Sequence, residues 1–378
     1  MKKDKDYLKI IMFGHKHIPS REGGVEIVVG ELSTRMAALG HDVTCYNRSG
    51  HFVGEATESK MKKGEYKGVK IRSVLTVDFK GLAAASSSFF AAVKCIFRRA
   101  DVIHIHAEGP ALMCPLLRLF GKRVVVTVHG LDWQREKWKS GFASKYIKFG
   151  EKMAAKFANE IIVLSKGEKE YFKETYGREV VRIPNGVDRP KSLEPKLIAE
   201  KFGLSKDEYI LFLGRLVPEK GVHHLIEAFK NTKTDKKLVI AGGASDTDGY
   251  ANEIKELAKD DDRIMFTGFV EGDTMAELYS NAYIYTLPSS LEGMPLSLLE
   301  AMSYGNACLV SDIPECAEVV EDNGEIVHIE SAEDLQKALQ KLCDNPELVE
   351  NFKTKSADFV CNKYHWDDVV KKTLELYN

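Results

Sequence analysis

One rhythm constrains this chain more than any other feature. Short apolar runs alternate with helix-length segments, halt at a cluster of turn residues, and then begin again. Leu8–Gly14, His41–Tyr46, Val69–Val77, Asp101–Ala107, Val124–His129 and Glu160–Leu164 have the length and apolar density of buried strands. Between them, Gly24–Leu39 (closed by Gly40), Leu82–Arg98 and Phe142–Phe157 read as helices. The stretch Ile183-Pro-Asn-Gly-Val-Asp-Arg-Pro190 is dense in breakers. Beyond it come strands at Tyr209–Leu216, Leu238–Ala241, Ile264–Phe266, Tyr283–Leu287, Cys308–Ser311 and Ile326–Ile329, with a helix at Gly221–Lys230 and a terminal helix over Tyr364–Tyr377. Two successive β-α alternations predict two doubly wound, parallel-sheet α/β domains whose strand C-termini face a central cleft, where ligands of such sheets bind. The expected boundaries are 1–188 and 189–363, with helix 364–378 packing back on the first domain.

Length and composition agree. The 378 residues suit two domains, and 44% hydrophobic with 29% charged residues is ordinary globular usage. The seven cysteines are scattered and odd in number, which predicts core thiols in a reducing, cytoplasmic compartment rather than a disulfide framework. The charged start, Met1-Lys-Lys-Asp-Lys-Asp, leads into a strand and not into a signal-peptide core. Leu82–Phe97 is too short to span a bilayer and is expected to be a buried or interfacial helix. The net charge of −2 conceals a split: residues 1–190 hold 34 Lys and Arg against 21 Asp and Glu, and the remainder hold 20 against 35. A basic first half predicts an anionic partner, either a membrane surface or a lipid phosphate.

Four motifs carry the chemistry. Gly23-Gly24, after the first strand, opens a helix and lets backbone N–H groups approach an anion. His129 closes the strand at Val124 and is placed to hydrogen-bond a sugar hydroxyl or a phosphate. His104 and His106 share a strand face, but no carboxylate completes a metal ligand set with them. Arg215 and Lys220 flank a turn after the second domain's first strand, where a guanidinium fork and an ammonium can neutralise a diphosphate without a metal. Glu292-Gly293-Met294-Pro295-Leu-Ser-Leu-Leu-Glu300 combines a loop carboxylate, exposed N–H groups and a helix start at Pro295. Glu300 lies about 7.5 Å along that helix, within reach of a ribose diol. Asp246-Thr-Asp248 matches a metal-binding Asp-x-Asp but reads as a solvated turn. No Walker loop and no Gly-x-Gly-x-x-Gly dinucleotide motif is present.

Taken in order, Gly23-Gly24-Val-Glu26, His129-Gly130, Pro184-Asn-Gly-Val-Asp188, Gly214-Arg215 with Lys220-Gly221, Gly268-Phe269 and the Glu292–Glu300 segment resemble the retaining glycosyltransferases of family 4, which have the GT-B fold. The resemblance implies that Arg215 and Lys220 bind the donor diphosphate and that Glu300 binds the ribose. Glu292 and the Gly293–Leu296 backbone, including Leu296, would hold the sugar and distal phosphate, and Val270 the base. Gly23 and Gly24 would approach the phosphates, and His129 the sugar. It further implies a metal-independent, front-face transfer that retains configuration. The expected donor is a UDP-, GDP- or dTDP-hexose, and the expected acceptor a saccharide or polyprenyl-diphosphate-linked saccharide of bacterial surface-polysaccharide assembly. His106, Asp132 and Trp133, with Trp138 in the same basic, aromatic stretch, are the acceptor candidates. No nucleic acid is expected as a partner. Two alternatives stay open here: an epimerase or hydrolase acting on the nucleotide sugar itself, and a non-catalytic nucleotide-sugar-binding subunit.

Overall fold

The structure is a computed structural model and describes residues 7–50, 64–77, 79, 82–135, 141–243, 248–328 and 331–378, without the side chains of Phe142 and Asp248. Its contacts divide the chain into two compact units. One is Met1–Asn185 with Trp366–Asn378, and the other is Gly186–His365.

The first unit is built on an eight-stranded sheet in the order β3-β4-β2-β1-β5-β6-β7-β8. Its strands are β1 (Lys9–Phe13), β2 (Asp42–Arg48), β3 (Glu65–Tyr66), β4 (Val69–Val74), β5 (Val102–His106), β6 (Val124–Thr127), β7 (Glu160–Val163) and β8 (Val181–Arg182). All pairs are parallel except β3 with β4, a small antiparallel edge hairpin that no apolar run announces. Helices α1 (Gly24–Ala38), α2 (Ala83–Phe97), α3 (Cys114–Leu119), α4 (Phe142–Phe157) and α5 (Lys166–Tyr176) accompany the strands. Strands such as Val124-Val-Val-Thr and Val102-Ile-His-Ile-His are buried at every position, as a parallel sheet covered on both faces requires. Ile103, Ile105, Val124 and Val126 pack with Ala91, Cys95, Leu117 and Phe172 in one core. Local signals set the helix ends. Ser165 and Glu168 form a capping box at the start of α5, and Gly177 takes the left-handed conformation that ends it.

The second unit has a six-stranded, wholly parallel sheet in the order β11-β10-β9-β12-β13-β14. The strands are β9 (Tyr209–Leu213), β10 (Lys237–Ala241), β11 (Ile264–Gly268), β12 (Ile284–Leu287), β13 (Ala307–Ser311) and β14 (Glu325–Val327). Helices α6 (Leu197–Phe202), α7 (Val222–Lys230), α8 (Asp248–Ala258), α9 (Gly272–Asn281), α10 (Leu296–Ser303), α11 (Pro314–Val320), α12 (Ala332–Asp344) and α13 (Pro346–Lys363) complete it. The last helix, α14 (Trp366–Glu375), belongs to the first unit, where it packs on α1 through the Arg35–Asp367 ion pair.

Both sheets reverse strand order once, between β1 and β5 in the first and between β9 and β12 in the second. Such a switch point opens a crevice beyond the strand C-termini. The residues Gly14 to Gly24 follow β1, and Arg215 to Gly221 follow β9. At Gly14 a Cβ would meet the His106 carbonyl oxygen at 2.1 Å, so glycine is what lets this loop lie against the end of β5. Leu82–Phe97 is a helix within the fold, and among the described residues no helix is long and apolar enough to cross a membrane. All seven cysteines are free thiols and six are buried.

Candidate functional site

In the second unit, two loops meet at the switch point. The β9 loop carries Arg215 and a 3-10 turn, Pro218–Lys220; the β12 loop carries Ser289 to Pro295. They are tied by the Ser290 N–H, which donates to the Glu219 carbonyl at 2.9 Å. Gly221 makes the approach possible, because its φ is +68° and a Cβ there would lie 2.1 Å from the Pro288 oxygen. Lys220 and Glu292 then meet at 2.5 Å in a buried ion pair, and Ser289 Oγ donates to the same Glu292 oxygen at 2.7 Å. Glu292 was expected as an open acceptor for sugar hydroxyls; Lys220 and Ser289 instead hold one of its oxygens.

The next turn is the start of α10. Pro295 is the N-cap rather than the first helical residue, and proline offers no side-chain cap for the N–H groups behind it. Gly293, Met294, Pro295 and Leu296 are buried, and Ser297 Oγ meets the Tyr285 hydroxyl at 2.9 Å, which fixes the helix start over the end of β12. Glu300 is half-buried one turn along and accepts from Tyr279 OH at 3.5 Å. Arg215 is half-buried two residues past β9. Beside these loops, a pocket of about 560 Å³ is lined by Leu216, Gly242, Gly243, Phe266, Thr267 and Gly268, with Asn252 and Lys255 from α8. Val270 lies two residues beyond that lining. The fold therefore gathers Lys220, Glu292, Ser289 and the α10 start, and sets a pocket at the ends of β9, β10 and β11.

The first unit holds a histidine cluster at its own strand ends. His106 Nδ1 and His129 Nε2 are 3.0 Å apart, with the rings stacked. His104 lies 4.1 Å from the His106 ring and is held by Thr127 Oγ1 at 2.7 Å and the Tyr377 hydroxyl at 2.6 Å. Burial lowers the pKa of His104 to about 3 and that of His129 to about 4, and holds His106 well below its usual value. All three are neutral at pH 7. Among the described residues, no group of three or more His, Cys, Asp or Glu side chains is arranged to hold a metal ion.

Gly23 is the N-cap of α1, and the Glu26 carboxylate folds back against it, so that a Cβ on Gly23 would meet Glu26 Oε2 at 2.3 Å. Burial alone would raise the Glu26 pKa, but the Lys16 N–H donates to it at 2.8 Å and His15 adds to the pull, so it is lowered. The Gly23-Gly24 end is thus served by a carboxylate of its own helix.

Asp132 sits in a short turn after β6. Its N–H donates to Glu108 Oε2 at 2.9 Å, and its carboxylate accepts from Arg135 at 2.7 Å. Trp133 donates to Glu151 at 3.2 Å, and Lys148 Nζ lies 3.7 Å from the centre of its ring. The indole is therefore engaged by its own unit. Glu108 and Glu151 are fully buried, and Tyr171 and Tyr176 donate to Glu151 at 2.8 and 2.5 Å. Burial, its bond to Glu151 and the Asp132 charge push the Glu108 pKa well up. Nothing in the sequence marks these two glutamates as partners, 43 positions apart. Trp138 and Asp246-Thr247 lie outside the described residues.

Comparison with known proteins decides the family. Residues 22–190 match the family described as Glycosyltransferase Family 4, and residues 196–359 match Glycosyl transferases group 1. The chain is a family 4-type glycosyltransferase of GT-B fold. This glycosyltransferase is 24% identical to alpha-maltose-1-phosphate synthase of Mycolicibacterium smegmatis over 404 residues, covering 98% of this chain and 99% of that protein. It is 29% identical over 299 residues to UDP-Gal:alpha-D-GlcNAc-diphosphoundecaprenol alpha-1,3-galactosyltransferase of Escherichia coli, covering 73% of this chain and 75% of that one. Its fold is similar to sucrose-phosphate synthase from Thermosynechococcus elongatus, with a TM-score of 0.83, 20% identity and 98% of each chain covered.

Proposed function

We propose that this glycosyltransferase moves a hexose from a nucleotide sugar, a UDP-sugar first among candidates, to a saccharide on a polyprenyl diphosphate at the cytoplasmic face of a bacterial membrane. The observation that carries the donor reading is the meeting of the β9 and β12 loops. It sets Lys220, Glu292 and the α10 start side by side at a switch point, with Glu300 one turn along the helix. Diphosphate rests on the helix start and Lys220, with Arg215 as the second cation. Glu300 takes the ribose diol, and the neighbouring pocket receives the base. The acceptor reading is supported by the galactosyltransferase relative, whose name specifies a diphosphoundecaprenol substrate.

The chemical step needs no metal in this reading. The bond from the anomeric carbon to the leaving phosphate oxygen breaks, and the acceptor oxygen bonds to that carbon on the same face. The acceptor's proton passes to the departing phosphate oxygen, and configuration is retained. Lys220 and Arg215 neutralise the diphosphate as its charge grows, so catalysis is mainly positioning and charge stabilisation.

Thermal-shift titration with UDP-, GDP- and dTDP-hexoses tests the donor, since a ligand of the native state raises its melting temperature. The stabilising donor is then incubated with a polyprenyl-diphosphate saccharide, with and without EDTA. A saccharide lengthened by one hexose, insensitive to EDTA, is expected. Donor consumption at the same rate without any acceptor would overturn transfer in favour of hydrolysis or epimerisation.

A further inference from the structure

We propose that the outer face of α2, continued by the Arg118–Phe120 tip that ends α3, docks this glycosyltransferase on an anionic lipid bilayer. The proposal rests on the lipid-linked acceptor reading and names the surface that reading needs.

α2 is apolar on both sides. Ala91, Ala92 and Cys95 face the core. On the opposite side Leu82, Phe89 and Phe97 are 52%, 47% and 85% exposed. These three positions are separated by two helical turns each, with Ser86 and Val93 in between, so they form one line along the helix. A surface helix ordinarily turns polar residues outward. Where α2 ends, a second apolar tip joins it: Leu119 is 81% and Phe120 54% exposed. Lys122 Nζ donates to the Arg98 carbonyl at 2.8 Å, and Arg118 donates to the Lys122 carbonyl at 3.0 Å, so the Phe97 and Phe120 tips share one end of the unit.

Charge selects the occupant. Arg98, Arg99 and Arg118 are exposed around these tips, with Lys122 beside them. From 82 to 131 the chain has six Lys and Arg and two acids. Of those acids Glu108 is buried and Asp101 keeps its charge while accepting from the Lys9 N–H, and of the cations Arg123 is paired with Glu160, so the tips keep an excess of positive charge. Aromatic tips set among arginines suit an interface where rings enter the acyl boundary and cations meet lipid phosphates. Each cation near an anionic leaflet contributes about 1 kcal/mol. A two-fold contact between two copies of this face would instead set the same cations against each other. At ~22 Å, α2 is long enough to lie flat on a bilayer. It begins past the C-terminal end of β4, on the sheet edge to which His106 and His129 belong, and runs back so that Phe97 and the Arg118–Phe120 tip lie at the opposite edge, by the starts of β5 and β6.

Co-sedimentation of the full chain tests this, using vesicles of phosphatidylcholine alone or mixed with phosphatidylglycerol, at low and physiological salt. Wild type is expected to pellet with the anionic vesicles, less so as salt rises, and to stay in solution with phosphatidylcholine. The variants Phe97→Ser/Leu119→Ser/Phe120→Ser and Arg98→Gln/Arg99→Gln/Arg118→Gln should each lose at least about tenfold in partitioning. Donor thermal shifts and transfer to a water-soluble saccharide acceptor should be unchanged in both. Wild type that ignores anionic vesicles, variants that bind as it does, or a wild-type dimer dispersed by the serine variant would overturn the docking surface. Vesicle binding without any donor shift would leave the surface standing and remove the transfer reading, so the two fail separately.

Discussion

Lys220 and Glu292 form the most consequential pair in the second unit, because each is buried and each is a candidate donor ligand. Removing one charge strands the other in a low-dielectric site, which typically costs about 3–5 kcal/mol, whereas removing both is often nearly neutral. Urea unfolding should therefore show Lys220→Met strongly destabilised and Lys220→Met/Glu292→Leu restored toward wild type, with both unable to transfer sugar. A single variant as stable as wild type would contradict the buried pair. Sequence reading gave both residues donor roles yet could not pair them, since the contact is made by two loops 72 positions apart that only the β9–β12 neighbourhood brings together. In the first unit, Tyr377 OH serves a fully buried His104 nitrogen. Tyr377→Phe leaves that nitrogen unsatisfied and should cost about 1–3 kcal/mol, measured by the same unfolding experiment; an unchanged midpoint would mean the hydroxyl is dispensable.

Among the elements, the strands were the most legible, because central parallel strands are near-continuous apolar runs such as Leu238-Val-Ile-Ala. Phe142–Phe157 was equally readable from its 3.6-residue period. The β3–β4 hairpin was not, because a two-residue strand carries too little pattern. The order of strands, and so the switch points, is set by tertiary pairing and leaves no local trace. Gly221 shows how an element depends on one residue. Its positive φ and its contact with the Pro288 oxygen hold the β12 loop against the β9 loop. Gly221→Ala should weaken donor binding at least about tenfold, with a stability loss of about 1 kcal/mol or more from the left-handed backbone alone. Calorimetric titration checks the first effect and urea unfolding the second; wild-type affinity in that variant would show that the two loops need not be in contact.

For the whole molecule, the buried neutral histidines predict an acid-sensitive enzyme. The folded-state pKa values of His15 and His129 are lowered to about 4 and that of His104 to about 3, chiefly by burial, with His106 lower than normal for the same reason. Depressed values mean that the unfolded chain binds more protons below its own histidine pKa of about 6.5. Their stabilising contribution is thus complete above pH ~6.5 and shrinks as pH falls toward 4, by about 1.4 kcal/mol per pH unit for each histidine kept neutral. Glu108 acts in the opposite sense: its raised pKa favours folding at low pH and is lost as pH rises above about 4.5. Four histidines outweigh one glutamate, so the unfolding free energy measured by urea titration should fall steeply from pH 6.5 to 4.5. A flat profile across that window would mean these histidines are not held neutral. At this scale the two doubly wound parallel sheets were legible in the repeated β-α rhythm, and the shared strand face of His104 and His106 in their spacing, while the Glu108–Glu151 pair was not, because burial and pairing are properties of the folded sheet. The central claim, that the Lys220–Glu292 loops and Glu300 form a nucleotide-sugar site, is tested most directly by calorimetric titration of a UDP-hexose into wild type and Glu300→Gln. Saturable one-to-one binding that weakens at least about tenfold in the variant, as loss of a charged hydrogen bond to the ribose would produce, is the predicted result; equal affinity in the two proteins would contradict the account.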